Sequence, residues 1–328
     1  MKKIGIKGTG AYLPERIIPN SFFEKTLDTS NEWIISRTGI EQRRMVLPGQ
    51  SLSEIATPAC KQALQMAGLS ASDLDLIIVG TSTPDMLTPS TGCLLQHRLG
   101  AKKAVAFDVS AACPGFIYGL SIAQKFMQDG SHQHALIVGG EILSHRIDYE
   151  DRATCVLFGD GVGAVVLGPS KGRGEGEILS VDIQSNGNLW KLLNIPGGGS
   201  LHPPSREMVE AGLHHIKMQG NEVFKHAVRY MSDAVRKILE NSGFISRQID
   251  WFIPHQANIR IMEAVAKQVE IPLEKVIKTV HKYGNTSAAT IPTALDESVR
   301  SGPIKKGDLV LVASFGAGFT WGAALFRM

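Results

Sequence analysis

Ala104-Val105-Ala106-Phe107-Asp108-Val109-Ser110-Ala111-Ala112-Cys113-Pro114-Gly115 decides how this chain is read. Ala104–Val109 is a short apolar run of buried-strand type, and the helical pattern Gly115–Gln128 follows it directly. Pro114 fits the first helical position, where its missing N–H would go unpaired anyway. Cys113 therefore stands at a strand-to-helix turn. There the positive end of the helix dipole is expected to lower the thiol pKa and raise the thiolate fraction. Most buried cysteines are inert packing groups, and Cys60, Cys93 and Cys155 are read that way. For Cys113 the small neighbours and the turn favour a nucleophile.

The same pattern extends outward along the chain. Leu74–Val79, Ala135–Val138, Trp251–Ile253, Val276–Val280 and Leu309–Ala313 are further strand-type runs. They alternate with the helical patterns Ile259–Val269 and Ser287–Val299, and Ser51-Leu52-Ser53-Glu54 is a capping box opening a helix through Met66. The order repeats. Asp73-Leu74-Asp75 leads to a strand, a helix, a second strand and Cys113; Gln248-Ile249-Asp250 leads through His255 and a helix to Asn285. Each half closes on a Gly-rich turn, Phe158-Gly159-Asp160-Gly161 or Phe315-Gly316-Ala317-Gly318. The expectation is an internally duplicated α/β protein with halves 1–172 and 173–328, Cys113 and Asn285 facing each other near a pseudo-twofold axis. Gly168–Gly176 reads as the surface connection, and Pro196–Pro204 as a long loop of the kind that often serves function.

Composition bounds the rest. The 328 residues carry 34 Lys+Arg against 31 Asp+Glu, a balance that argues against a protein built to grip nucleic acid. No apolar run approaches the ~18 residues of a membrane span, and the amino-terminal stretch is too short and interrupted for a secretory leader. The four cysteines show no metal-ligand spacing, and no HExxH or Cys/His array calls for a metal. A soluble, cytoplasmic, reduced protein is expected. Gly5, Gly8 and Gly10 form only a fragment of a dinucleotide fingerprint, and Gly172-Arg173-Gly174 lacks the ending of a phosphate loop.

His255, in Ile253-Pro254-His255-Gln256-Ala257-Asn258, falls at the carboxyl end of a strand, where α/β proteins gather their ligands. Asn285, in Tyr283-Gly284-Asn285-Thr286-Ser287, equally suits a helix N-cap. Taken with Cys113 they make a site with one thiol nucleophile and two hydrogen-bond donors.

At this point the sequence resembles the β-ketoacyl-acyl carrier protein synthase III family, initiating condensing enzymes of the thiolase superfamily. The likeness runs over nearly the whole chain, through Gly8-Thr9-Gly10-Ala11-Tyr12-Leu13-Pro14, Asp28-Thr29-Ser30-Asn31-Glu32-Trp33-Ile34 and Phe107–Cys113. It continues in Gly220-Asn221-Glu222-Val223-Phe224-Lys225, Pro254–Asn258, Gly284–Ser287 and Phe315–Gly322. The resemblance implies a five-layered αβαβα sandwich and a homodimer. It implies acyl-CoA as the substrate that acylates Cys113, malonyl-acyl carrier protein as the second partner, and no permanently bound cofactor. By the same resemblance His255 and Asn285 stabilise an enolate, and the backbone N–H groups of Cys113 and Ala317 form an oxyanion hole.

Trp33 and Arg152 match positions that sandwich adenine, while Thr29, Arg37, Gly220, Phe224 and Asn258 match the coenzyme A and pantetheine tunnel. Lys225, Arg260 and Lys267 match a basic surface for the acidic carrier protein. Thr88 matches a position reaching the partner subunit's acyl pocket, where its small size implies primers longer than acetyl. Pro114 departs from the family, many of whose members carry a small residue there. The alternatives are a diverged condensing enzyme or acyltransferase of secondary metabolism and, less favoured, a Cys-His-Asn hydrolase.

Overall fold

A computed structural model describes residues 2–171 and 176–328. The expected junction at 172/173 and the Gly172-Arg173-Gly174 segment lie outside the described residues. The first sheet holds β1 (Ile4–Tyr12), β2 (Leu76–Gly80), β3 (Val105–Val109), β4 (Ala135–Glu141) and β5 (Gly161–Pro169), in the order β1-β5-β4-β2-β3. The second holds β6 (Ile178–Ser185), β7 (Trp251–Pro254), β8 (Leu309–Gly316) and β9 (Thr320–Arg327), in the order β6-β9-β8-β7.

Beyond β7 a single parallel bridge joins Phe252 to Val276. The expected strand Val276–Val280 is reduced to that bridge, because Val280 already begins the helical turn Val280–Tyr283. Counting it as a vestigial strand, both sheets run first-fifth-fourth-second-third in chain order with the same directions. The repeat read from the sequence is thus present in the strand order.

Seven helices position the site: α1 (Asn31–Thr38), α2 (Leu52–Ala67), α3 (Thr91–Leu99), α4 (Gly115–Met127), α5 (Gly220–Ser242), α6 (Ile259–Gln268) and α7 (Thr290–Ser301). The capping box opens α2, with Ser51 N–H donating to Glu54 at 2.9 Å. Pro114 is the cap of α4 rather than its first residue.

Helices α4 and α7 pack between the sheets, α2 against the outer face of the first, and α5 against that of the second. This gives the αβαβα sandwich. Helices on both faces of each sheet explain why its central strands are continuous apolar runs. In β2, Leu76 and Ile78 enter the central core with Leu120 and Leu295, while Ile77 and Val79 enter the outer core with Ala59 and Ala63. A strand alternates its side chains, so burial of both faces requires an unbroken apolar run. Gly8 and Gly10 have a packing role: a Cβ there would lie 2.2 Å from Ala63 O or 2.1 Å from Ala59 O on α2. They let β1 and α2 touch backbone to backbone.

Candidate active site

Cys113 follows β3 and precedes α4, as the sequence implied. Ala112 turns the chain there at φ 49°, a left-handed conformation that costs a non-glycine residue about 1–3 kcal/mol and persists only where its surroundings enforce it. One enforcing contact comes from the other half. A Cβ on Gly316, at the end of β8, would lie 2.8 Å from Cys113 N and 2.9 Å from Pro114 Cδ. Asn285 is held in the matching way by the first half: its N–H donates to Leu157 O at 2.9 Å, and Gly159 N–H donates to Asn285 O at 3.0 Å. Each half's Gly-rich turn thus seats the other half's functional residue.

Cys113, His255 and Asn285 line one cavity of about 930 Å³, together with Ser287 and Ala317. His255 is 3% exposed, its N–H bonded to Ala313 O at 2.8 Å. Burial pushes its pKa down to about 3, so the imidazole is neutral at physiological pH. Its Nδ1 lies 2.7 Å from Thr290 Oγ1, which is also 2.9 Å from Ser287 O. The single Thr290 proton can serve only one of these. When it is donated to Nδ1, Nε2 carries the ring proton. Asn285 is oriented too. Its side-chain oxygen accepts from Ser287 N–H at 2.8 Å, leaving the NH₂ as the available donor.

The thiol differs from expectation. Burial pushes Cys113 up to about 12, and the nearby Glu141 carboxylate acts in the same direction. The Ser287 hydroxyl, 3.4 Å from Sγ, opposes them. The turn supplies placement, but in the free protein the sulfur is a thiol rather than a thiolate.

The cavity wall also includes Trp33, Arg37, Gly220, Phe224, Asn258 and the charged pair Lys225 and Arg260. Asn258 caps α6 by accepting from Arg260 N–H at 2.8 Å, and its Nδ2 donates to Arg37 O at 3.0 Å, tying α1 to α6. Arg260 lies over Phe224 at 5.8 Å, and Lys225 pairs with Glu222 at 2.7 Å.

Arg152 does not line the cavity but stacks on Trp33 at 4.8 Å, so no gap for a third ring separates them. Thr29 is also outside the lining, with a buried hydroxyl that has no hydrogen-bond partner among the described residues. Lys267 is exposed near the end of α6, away from the lining. Thr88 is exposed beside Leu87, which is 86% exposed, and does not line this chain's cavity.

Several lining residues carried no sequence signal of their own. Leu193, Ile195, Ile216 and Met218 close one wall through a two-residue antiparallel pairing of Leu193–Asn194 with Lys217–Met218. The chain that follows the Pro196–Pro204 loop thus folds back onto the site at Ile216 and Met218. Glu141, Ser287 and Thr290 were missed because serine, threonine and glutamate are common, and only the fold brings them to Cys113 and His255. Among the described residues no His/Cys/Asp/Glu group is arranged to hold a metal, and no helix is long and apolar enough to cross a membrane.

Two halves of matching strand order, with a cysteine, a histidine and an asparagine gathered between them, define a thiolase-like condensing enzyme. Comparison with known proteins narrows this. Residues 107–187 match the family model for 3-oxoacyl-[acyl-carrier-protein (ACP)] synthase III, and residues 239–328 match the model for its C-terminal part. The chain is 51% identical to the β-ketoacyl-[acyl-carrier-protein] synthase III of Alkalilimnicola ehrlichii over 323 residues, 98% of each chain. It is 48% identical to that of Clostridioides difficile, covering 99% of this chain and 98% of the relative. The crystal structure of 3-oxoacyl-[acyl-carrier-protein] synthase III from Aquifex aeolicus matches with a TM-score of 0.92 at 46% identity, covering 99% of this chain and 100% of that one. The chain belongs to the 3-oxoacyl-[acyl-carrier-protein] synthase III family.

Proposed function

We propose that this protein starts fatty acid synthesis by condensing an acyl-CoA primer with malonyl-acyl carrier protein, with Cys113, His255 and Asn285 as its catalytic residues. The carrying observation is that these three side chains, from both halves of the fold, open onto one cavity with the histidine neutral and the asparagine NH₂ free to donate.

In the first half-reaction the Cys113 sulfur forms a bond to the acyl carbonyl and the coenzyme A thiol leaves. The Cys113 and Ala317 N–H groups receive the passing oxyanion; Gly316 packed on Cys113 brings the two segments together. In the second, malonyl-acyl carrier protein loses carbon dioxide and negative charge develops on its thioester oxygen. Neutral donors suit that oxygen, because they stabilise developing charge without first pairing to a substrate carboxylate. His255 Nε2–H and the Asn285 amide fill this role, each worth about 10²–10³ in rate. The resulting carbanion attacks the acyl-Cys113 carbonyl, the C–S bond breaks to release a 3-ketoacyl product, and the Cys113 thiolate takes up a proton from solvent to restore the thiol.

Trp33 and Arg152 take the coenzyme A adenine, which requires the guanidinium to swing off the indole. Thr29, Arg37, Gly220, Phe224 and Asn258 accompany the rest of the cofactor-like substrate, and Lys225, Arg260 and Lys267 meet the acidic carrier protein. The chain acts as a homodimer in the cytoplasm. Support for the dimer comes from β3, an unpaired sheet edge where Val105 is 50% exposed, and from the exposed Met86-Leu87-Thr88 loop. The halves 1–172 and 173–328 are its two thiolase-like units, a division that the matching strand orders support.

Mass spectrometry of the protein mixed with acyl-CoA, then malonyl-acyl carrier protein, tests this reading. Acylation at Cys113 followed by a 3-ketoacyl product supports it. An adduct that only hydrolyses, or none, overturns it.

A further inference from the structure

Glu141, at the end of β4, is fully buried, and no cation pairs with it among the described residues. Its carboxylate instead gathers donors: Ser82 N–H at 3.0 and 3.1 Å, Thr83 Oγ1 at 2.6 Å, Thr81 Oγ1 at 3.3 Å and Ser287 Oγ at 3.2 Å. The Ser287 hydroxyl that reaches Glu141 Oε1 also reaches Cys113 Sγ at 3.4 Å. A hydroxyl has one proton and can accept while it donates. The three groups therefore form a continuous line, S–H to O–H to carboxylate, from the cavity into the protein.

Ser287 sits in that line at φ 50°, a strained left-handed conformation unusual for serine. Strain of this kind at a residue touching the reacting sulfur marks a position held for its side chain.

We propose that Glu141 accepts a proton through the Ser287 hydroxyl as Cys113 gives up its own during acyl-CoA loading, and that a proton returns by this route to the departing coenzyme A thiolate. The step balances. The S–H bond of Cys113 breaks as its sulfur bonds the acyl carbon. Ser287 passes its own proton to Glu141 while taking the one from sulfur. Collapse of the tetrahedral adduct breaks the bond to coenzyme A, whose sulfur is reprotonated. No outside acid or base is consumed.

The relay answers the difficulty posed by the high thiol pKa, since a sulfur held as S–H needs an acceptor at the moment of attack. Burial holds Glu141 up to about 7, which lets it accept and release a proton near neutral pH. The groups facing it are the Ser82 N–H and the Thr81, Thr83 and Ser287 hydroxyls, with Cys113 the titratable neighbour beyond Ser287. Glu141 acts through Ser287 and is a positioning residue for the proton.

The acyl-CoA half of this proposal rests on the function proposed above, so the test includes a reagent independent of it. The full-length protein, Glu141→Gln and Ser287→Gly are reacted with iodoacetamide, and separately with acyl-CoA, between pH 6 and 9. Glycine suits φ 50° and lacks the hydroxyl, so Ser287→Gly remains folded even if Glu141→Gln does not. The relay requires both variants to react at least tenfold more slowly at Cys113 and to lose the rate increase near pH 7.

A purely repulsive Glu141 carboxylate gives the opposite sign: its removal would lower the thiol pKa and speed alkylation. Faster or unchanged alkylation in Glu141→Gln, or unchanged rates in Ser287→Gly, overturns the relay. Wild-type protein that alkylates in this Glu141-dependent way but is not acylated by acyl-CoA supports proton acceptance and overturns the substrate reading.

Discussion

Gly316→Ala tests whether the two halves of the fold together set the position of the nucleophile. The new methyl would stand 2.8 Å from Cys113 N, 2.9 Å from Pro114 Cδ and 3.0 Å from Cys113 Cβ. The nitrogen belongs to backbone and the proline ring is rigid, so neither can rotate away. Reaching an ordinary 3.4 Å contact requires β8 and the Cys113 turn to separate by about 0.6 Å. Overpacking of this kind costs about 1–3 kcal/mol. At about 2–4 °C for each kcal/mol, the melting temperature should fall by several degrees. The kinetic effect is larger in proportion, because a misplacement near 1 Å can cost ~10² in rate. Acyl loading of Cys113, followed by mass spectrometry, should slow by about 10- to 100-fold. Gly187→Ala is the control: a Cβ there meets nothing within 4 Å. If Gly316→Ala loads acyl groups and melts as the wild type does, the close approach of β8 does not position Cys113, and the argument fails.

Removing either proposed enolate donor, by His255→Ala or Asn285→Ala, should lower condensation by about 10²–10³ while leaving Cys113 able to load; condensation at the wild-type rate in both would refute the proposed roles. His255 also makes stability depend on pH. Its folded pKa, about 3, lies below the unfolded 6.5, so the unfolded chain binds more protons between these values and stability falls as pH drops below 6.5. At pH 5 the loss attributable to this residue is about 2 kcal/mol, measurable as a denaturation midpoint that falls less in a stable His255→Gln variant. Arg152→Ala removes one face of the proposed adenine site, a cation–π contact worth about 0.5–1 kcal/mol at an exposed position. KM for acyl-CoA should rise about two- to fivefold with little change in kcat. Thr88→Phe should shift primer preference towards acetyl-CoA, whereas a strict acetyl preference shared by wild type and variant would remove Thr88 from the acyl pocket.

Much of this was legible before any coordinates. The apolar runs of β2, β4, β7 and β8 were readable because helices in the central and outer layers bury both faces of these strands, which leaves continuous apolar segments in the sequence; β3 reads the same way although it is a partly exposed edge strand. Val276–Val280 reads the same way yet forms only one bridge. A run of β-branched residues records burial, and here much of that burial is supplied without a ladder. The thiol was misjudged for a related reason. Helix position is local and visible in sequence, but the burial of Cys113 is not, and burial is the largest influence on its pKa.

The sequence by itself determined the class of fold and the duplication, and pointed to Cys113, His255 and Asn285 as candidate site residues, because period, turn chemistry and motif are written in neighbouring positions. Tertiary structure alone decided that Ser287 would stand between Cys113 and Glu141, that Thr290 would face His255, and that Ile195 and Ile216 would wall the cavity. Glu141 and Ser287 are separated by 146 positions. A hydrogen bond across that distance comes from packing the two halves against each other, and no local pattern in either segment encodes it.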